Sequence, residues 1–189
     1  MTNTSQSSLN LIIGPMFSGK TTELLRIAKR LKSINLKVLL INYAEDTRYS
    51  TTEMTTHDKE SMPCIFVNKL KEVFINEKYE NYEEFIFERY DVFCINEAQF
   101  FSDLVEFCKE LLKNNKTIYV CGLDGDYKQE KFGELIDLVP MCDTITKLHA
   151  FCSICKNGNK AHFTKRIIDS KEQKLIGTKE YIPVCRKHL

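Results

Sequence analysis

Glycine and proline are scarce in this 189-residue chain, at 7 and 4, which excludes collagen-like and low-complexity architectures. An excess of charge of either sign is also missing, since 27 Lys and Arg face 26 Asp and Glu for a net +1. No broad electrostatic field is on hand to draw in DNA or anionic lipid, so neither nucleic acid nor membrane is expected as a partner. No apolar run approaches the ~20 residues of a membrane-spanning helix. The first ten residues are uncharged and polar, without the basic start and apolar stretch of a secretion signal. Thr2 stands where N-myristoylation requires glycine. A cytoplasmic, reducing setting without disulfides is expected, with residues 1–8 disordered.

What is present is enough for a core: 43% of the residues are hydrophobic. Short apolar runs at Leu9–Gly14, Val38–Tyr43, Val92–Asn96 and Thr117–Leu123 read as buried strands, with Cys64–Val67 and Thr144–His149 as further candidates. Between them, Leu24, Ile27, Ala28 and Leu31 repeat at helical spacing and predict a helix over Thr21–Ile34. Leu104, Phe107, Cys108, Leu111 and Leu112 do the same for Asp103–Lys113, with Asp103 near the N-cap. Tyr82–Arg89 is a shorter helix, and Glu45–Pro63 a polar loop or exposed hairpin. Cys94, Cys108 and Cys121 lie inside apolar stretches and are expected to be small buried hydrophobes. Strands that are apolar throughout and alternate with helices predict an α/β fold with a parallel sheet flanked by helices. Near Ala150 the composition turns polar and Cys/Lys-rich, so one domain is expected over 1–149 and a small lobe over 150–189.

Gly14-Pro15-Met16-Phe17-Ser18-Gly19-Lys20-Thr21 fits the phosphate-loop pattern G-x-x-x-x-G-K-[ST], and it follows a predicted strand and opens a predicted helix. The glycines let successive backbone N–H groups converge on a phosphate, and the helix adds its N-terminal dipole. Lys20 supplies positive charge to the β- and γ-phosphates, and the Thr21 hydroxyl is a ligand for Mg²⁺ carried with ATP. A guanine-reading N-K-x-D motif is missing, because Asn68-Lys69-Leu70 is followed by Lys71. Glu97, just past the third strand, would lie at the ligand edge of such a sheet and could take a proton from an attacking hydroxyl. Phe100 and Phe101 read equally as core or as a surface for a base.

Cys152-x-x-Cys155 and Cys185-x-x-His188, with 29 residues between the pairs, have the spacing of a closed, structural Cys₃His zinc site. It would staple a lobe too small to bury a core of its own. The lysines between the pairs leave two other classes in view: a zinc-ribbon nucleic-acid binder, and a phosphate-loop ATPase or switch.

Taken together, Gly14–Leu24 (GPMFSGKTTEL), Tyr43–Ser50 (YAEDTRYS), Thr56–Asp58 (THD), Glu97–Cys108 (EAQFFSDLVEFC), Leu123–Gly133 (LDGDYKQEKFG), Leu138–Pro140, Thr164–Arg166 and Val184–His188 resemble the type II thymidine kinases, the family of vertebrate cytosolic, poxviral and bacterial enzymes. The resemblance runs from about Leu11 to His188. It implies transfer of the ATP γ-phosphate to the 5′-hydroxyl of thymidine or deoxyuridine, in pyrimidine salvage for DNA synthesis. It makes Glu97 the catalytic base and adds Asp46, Thr47, Arg48, Asn96 and Gln99 to the nucleotide contacts. It implies a lasso loop, roughly Ile167–Ile182, closing over the pyrimidine, with Gln173, Lys174, Leu175, Ile176, Gly177 and Tyr181 at the base. Leu123 and Thr164 join Met16 and Tyr181 around the 5-methyl group, and Phe100, Tyr127 and Phe132 complete the substrate site. A homotetramer and feedback inhibition by thymidine triphosphate are implied as well. Either Arg48 or Arg166 would add charge at the transferred group. The chain departs from the family at Asn96, where Asp is usual, so weaker Mg²⁺ binding is expected. It departs also at Tyr127 for Phe, at Thr178 for the lasso's second glycine, and at His188 for a fourth Cys.

Overall fold

A computed structural model describes residues 7–46, 52–56, 59–75, 82–170, 172–177 and 179–189. Six parallel strands form the centre: β1 (Ser8–Ile13), β2 (Val38–Tyr43), β5 (Ile65–Val67), β6 (Val92–Ile95), β7 (Thr117–Gly122) and β8 (Thr144–Lys147). Their order across the sheet is β5-β2-β6-β7-β1-β8. Ser8, expected in a disordered start, already pairs with Thr117.

Every residue of β2 and β6 is buried, because both faces of these strands are covered. Alternate residues feed two separate cores. On one face Leu9, Leu11, Leu39, Ile41, Phe93, Ile95, Ile118 and Val120 meet Leu104, Phe107, Cys108 and Leu111 of helix α3 (Leu104–Lys113). On the other, Ile12, Val38, Leu40, Val92, Cys94 and Cys121 meet Leu24, Leu25 and Ala28 of helix α1 (Lys20–Ser33). Each fully buried leucine here contributes roughly 1.5–3 kcal/mol by leaving water. The short helix α2 (Tyr82–Arg89) brings Phe87 against Phe74, whose ring in turn stacks on Phe107 at 4.9 Å between centres. The three apolar-stretch cysteines are buried as expected, and burial pushes the Cys94 thiol up to about 12.

The polar segment after β2 includes the antiparallel hairpin β3 (Glu53–Thr55) and β4 (Ser61–Pro63), and Lys29 of α1 meets its Glu60 at 2.9 Å. Asp103 does sit at the N-cap of α3, but its carboxylate leaves its own helix alone. It accepts the N–H groups of Leu70 and Lys71 instead, capping the neighbouring 3₁₀ turn Leu70–Phe74.

Past β8 the chain makes two small hairpins, β9 (Ala150–Phe151) with β10 (Lys160–Ala161), and β11 (Phe163–Arg166) with β12 (Tyr181–Val184). Among the described residues their shared buried cluster is Ala150, Cys152, Ala161 and Val184, with Cys155, Phe163, Ile182 and Cys185 half-buried against it. A core of that size cannot fold a lobe by itself.

Candidate active site

Because the sheet is parallel, the ends of β1, β2, β6 and β7 open onto one edge, where ligands of open α/β sheets bind. A cleft of about 1130 Å³, counted with its open mouth, lies there.

The turn after β1 forms its floor. Gly14 has φ +150°, and a Cβ there would stand 2.6 Å from the Leu148 carbonyl oxygen, so no other residue fits. Gly19, at φ 79°, occupies the N-cap of α1 without any side chain to fill the helix's free N–H groups. Those donors and the helix dipole are what a phosphate requires. The Ser18 hydroxyl and the Lys20 ammonium donate to the Pro15 carbonyl at 2.8 and 2.7 Å, folding the turn on itself.

At the end of β6, the buried Asn96 donates from Nδ2 to Asn42 Oδ1 at 3.0 Å, and its Oδ1 then faces the Thr21 hydroxyl at 3.3 Å. Glu97 follows with φ 51°, a left-handed backbone rare for a non-glycine residue and typical of functional turns. Gln99 braces it. One end of the Gln99 amide donates to Glu97 Oε2 at 2.7 Å, and the other accepts the Leu123 N–H at 3.0 Å. The family resemblance puts Gln99 with the nucleotide, yet both ends of its amide are engaged by protein. Gly133, at φ 62°, lets the next loop pass so close that a Cβ there would lie 2.1 Å from the Gln99 carbonyl oxygen.

Phe100, Leu123, Tyr127, Phe132, Thr164, Gln173, Leu175 to Gly177 and Tyr181 line the same cleft, and Thr164 touches the turn itself by accepting the Met16 N–H at 3.0 Å. Phe101 belongs to the core at 1% exposure, whereas Phe100 is half-buried and lines the cleft. Among the expected site residues, Met16 to Thr21, Asp46, Asn96, Glu97, Gln99, Gln173, Leu175, Ile176 and Gly177 all line the same cleft. Gly14 and Pro15 are buried and do not line it. Lys174 turns away to Tyr43 and Glu45 at 2.7 and 2.8 Å, tying the segment to the end of β2. Lys174 and Tyr43 hold the Glu45 carboxyl below the usual carboxylate range. Thr47 and Arg48, like His57 and Asp58 of the THD motif, lie outside the described residues.

Asn42, Met54 and Thr55 also line the cleft and were not singled out from sequence, and Thr56 and Asp126 line it too, having been quoted only within the THD and Leu123–Gly133 motifs without a site role. Asn42 carried a signal, as the one amide inside the apolar run VLLINY. Asp126 lay inside the Leu123–Gly133 motif with nothing to set it apart there; in the structure the 7%-exposed carboxylate accepts from Gln173 Nε2 at 2.8 Å.

The four expected metal ligands converge. His188 Nδ1 stands 3.5, 3.3 and 3.4 Å from the sulfurs of Cys152, Cys155 and Cys185, and all four ligand atoms lie within 4.8 Å of one another. A tetrahedron of metal–sulfur bonds near 2.3 Å has edges of about 3.8 Å, and Cys155 Sγ to Cys185 Sγ is 3.7 Å. The cluster could therefore hold a metal ion. Burial works against ionisation of Cys152, but the N–H groups of Cys155, Cys185 and Ile154 outweigh it and bring the thiol down to about 5, favouring the thiolate that a metal needs.

A glycine-bounded turn opening a helix, a hydroxyl–amide pair beside it and a carboxylate on the same cleft are the parts that a phosphate-loop protein of the phosphotransferase class uses. The thymidine kinase family profile matches residues 7–189, and the chain belongs to that family. A thymidine kinase of Yaba monkey tumor virus is 40% identical over 185 residues, covering 97% of this chain and 95% of the relative. Thymidine kinase 1 of Dictyostelium discoideum is 42% identical over 186 residues, 94% of this chain and 75% of the relative. The cytosolic thymidine kinase of Homo sapiens is 38% identical over 183 residues, 96% and 73% respectively. Among the described residues no helix is long and apolar enough to cross a membrane.

Proposed function

We propose that the chain phosphorylates the 5′-hydroxyl of thymidine, and of deoxyuridine, with ATP, in the cytoplasmic salvage of pyrimidine deoxynucleosides. The observation that carries this reading is that one cleft is lined by the phosphate turn and Glu97 together with Tyr127, Tyr181, Gln173 and Leu175 to Gly177. The backbone N–H groups of 16–21 and the Lys20 ammonium bind the triphosphate and neutralise charge that develops on the transferred group. Thr21 and Asn96 are the groups that would hold Mg²⁺, Asn96 through water, and the ion supplies charge neutralisation at the β- and γ-phosphates. Glu97 orients the 5′-hydroxyl and accepts its proton, held in place by Gln99. The lasso grips the base, so that binding energy remote from the reacting oxygen positions it. Zinc is the ion that the thiolate-rich set suits, in a structural role. Homotetramer assembly and feedback by thymidine triphosphate complete the reading by family likeness. Of the two charges considered for the transferred phosphate, Arg48 is retained, because the Arg166 guanidinium is occupied by main-chain carbonyls.

The test is phosphate transfer from ATP to each of the four deoxynucleosides across a Mg²⁺ titration. Thymidine and deoxyuridine are expected to be substrates. ATP hydrolysis indifferent to any nucleoside would overturn the reading in favour of an ATPase, and steeply salt-dependent DNA binding would favour a nucleic-acid protein.

A further inference from the structure

Arg166 is only 9% exposed and has no part in the chemistry above. A buried cation is costly unless it is well paired, so its partners disclose its task. Nη1 donates to the carbonyl oxygens of Ser170, at 3.0 Å, and Glu172. Nη2 donates to the Gln173 carbonyl, at 3.4 Å, and to the Tyr181 hydroxyl, which itself donates to the Leu175 carbonyl at 3.2 Å. The guanidinium carbon lies 3.8 Å from the centre of the Tyr127 ring and 5.1 Å from that of Tyr181. Its partners thus come from the lasso, from β12 and from the loop after β7. Thr164, two residues earlier on the same buried face of β11, accepts the Met16 N–H of the phosphate turn at 3.0 Å.

We propose that Arg166 is the clasp of the lasso: a positioning residue that holds Ser170 and residues 172–175 closed over the nucleoside end of the cleft. The inference rests on the reading of this loop as the pyrimidine grip. Opening the loop would remove three carbonyl acceptors from one buried guanidinium at once, so closure is concentrated in this residue and approaches all-or-none. A planar fork between aromatic faces can gather several carbonyls. A lysine ammonium offers a point charge without the fork or the stacking plane.

The experiment compares wild type with R166Q. Loss of hydrogen bonds to a charged group should raise the KM for thymidine about tenfold or more, with the KM for ATP within about twofold and bound metal per chain unchanged. Tryptic cleavage after Lys174, measured without nucleoside, should accelerate by a similar factor, and free guanidinium should slow cleavage of R166A. If R166Q fails to fold, R166K, which keeps the charge and loses the fork, reads the same split. An unchanged thymidine KM with unchanged cleavage, or a parallel loss of ATP and thymidine affinity, would overturn the clasp. A wild-type chain that phosphorylates no nucleoside would instead overturn the proposed function, and the cleavage rates would still decide the clasp.

Discussion

Replacing Gln99 by Met tests the brace behind Glu97. The side chain is 2% exposed and keeps its length in the variant, so packing changes little. Two hydrogen bonds disappear. The Leu123 N–H loses its acceptor, and an orphaned donor of this kind costs about 1–3 kcal/mol. Glu97 loses a 2.7 Å donor, and a bond to a charged group contributes roughly 1.5–3 kcal/mol to its placement. About 2 kcal/mol in stability from the orphaned donor alone corresponds to a fall in Tm of about 4–8 °C for a chain of this size. A misplaced base should lower kcat about ten- to a hundredfold, with the KM for ATP and thymidine nearly unchanged. Thermal melts and steady-state kinetics on the same preparation read both effects. A lowered Tm with wild-type kcat would refute the reasoning, because Glu97 would then need no external orientation.

Glu97→Gln keeps the shape and removes the proton acceptor; kcat should fall about 10²–10⁴-fold while thymidine binding, measured by calorimetry, is retained. Asn96→Asp adds a negative charge beside the Thr21 hydroxyl and should lower the Mg²⁺ concentration for half-maximal rate. Asn42 can follow by turning its amide to donate to the new carboxylate, and an unaltered Mg²⁺ curve would contradict the role given to position 96. Stripping metal with a strong chelator should release about one ion per chain and weaken thymidine binding more than ATP binding, since β11 and β12, packed beside the Cys/His cluster, carry the Arg166 and Tyr181 groups that hold the carbonyls of Ser170, Glu172, Gln173 and Leu175. Equal effects on both ligands, followed by mass spectrometry and binding titration, would argue that the lobe serves the whole fold alike.

The sheet was legible because β2 and β6 are buried on both faces, and continuous apolar runs such as VLLINY and VFCI mark such strands directly. The phosphate turn was legible because backbone geometry alone dictates its glycines. Asp103 was placed correctly near the N-cap of its helix, but that its carboxylate caps the Leu70–Phe74 turn was not legible, because which turn a capping residue serves depends on distant packing. Phe100 and Phe101 are chemically alike in sequence, and only the 3₁₀ turn Ala98–Phe100 sends one ring to the cleft and the next into the core. The hydrogen-bond partners of Arg166 lie between 4 and 15 residues away in a segment without periodic pattern, and its stacking partner Tyr127 is on a distant loop, so spacing could not disclose them.

The left-handed backbone at Glu97 sets folding against turnover at a single position. A side chain held at φ 51° costs about 1–2 kcal/mol that glycine would recover. Random change at that codon toward glycine therefore yields a sturdier protein that no longer has its proton acceptor, and only selection for the product keeps the less comfortable residue in place.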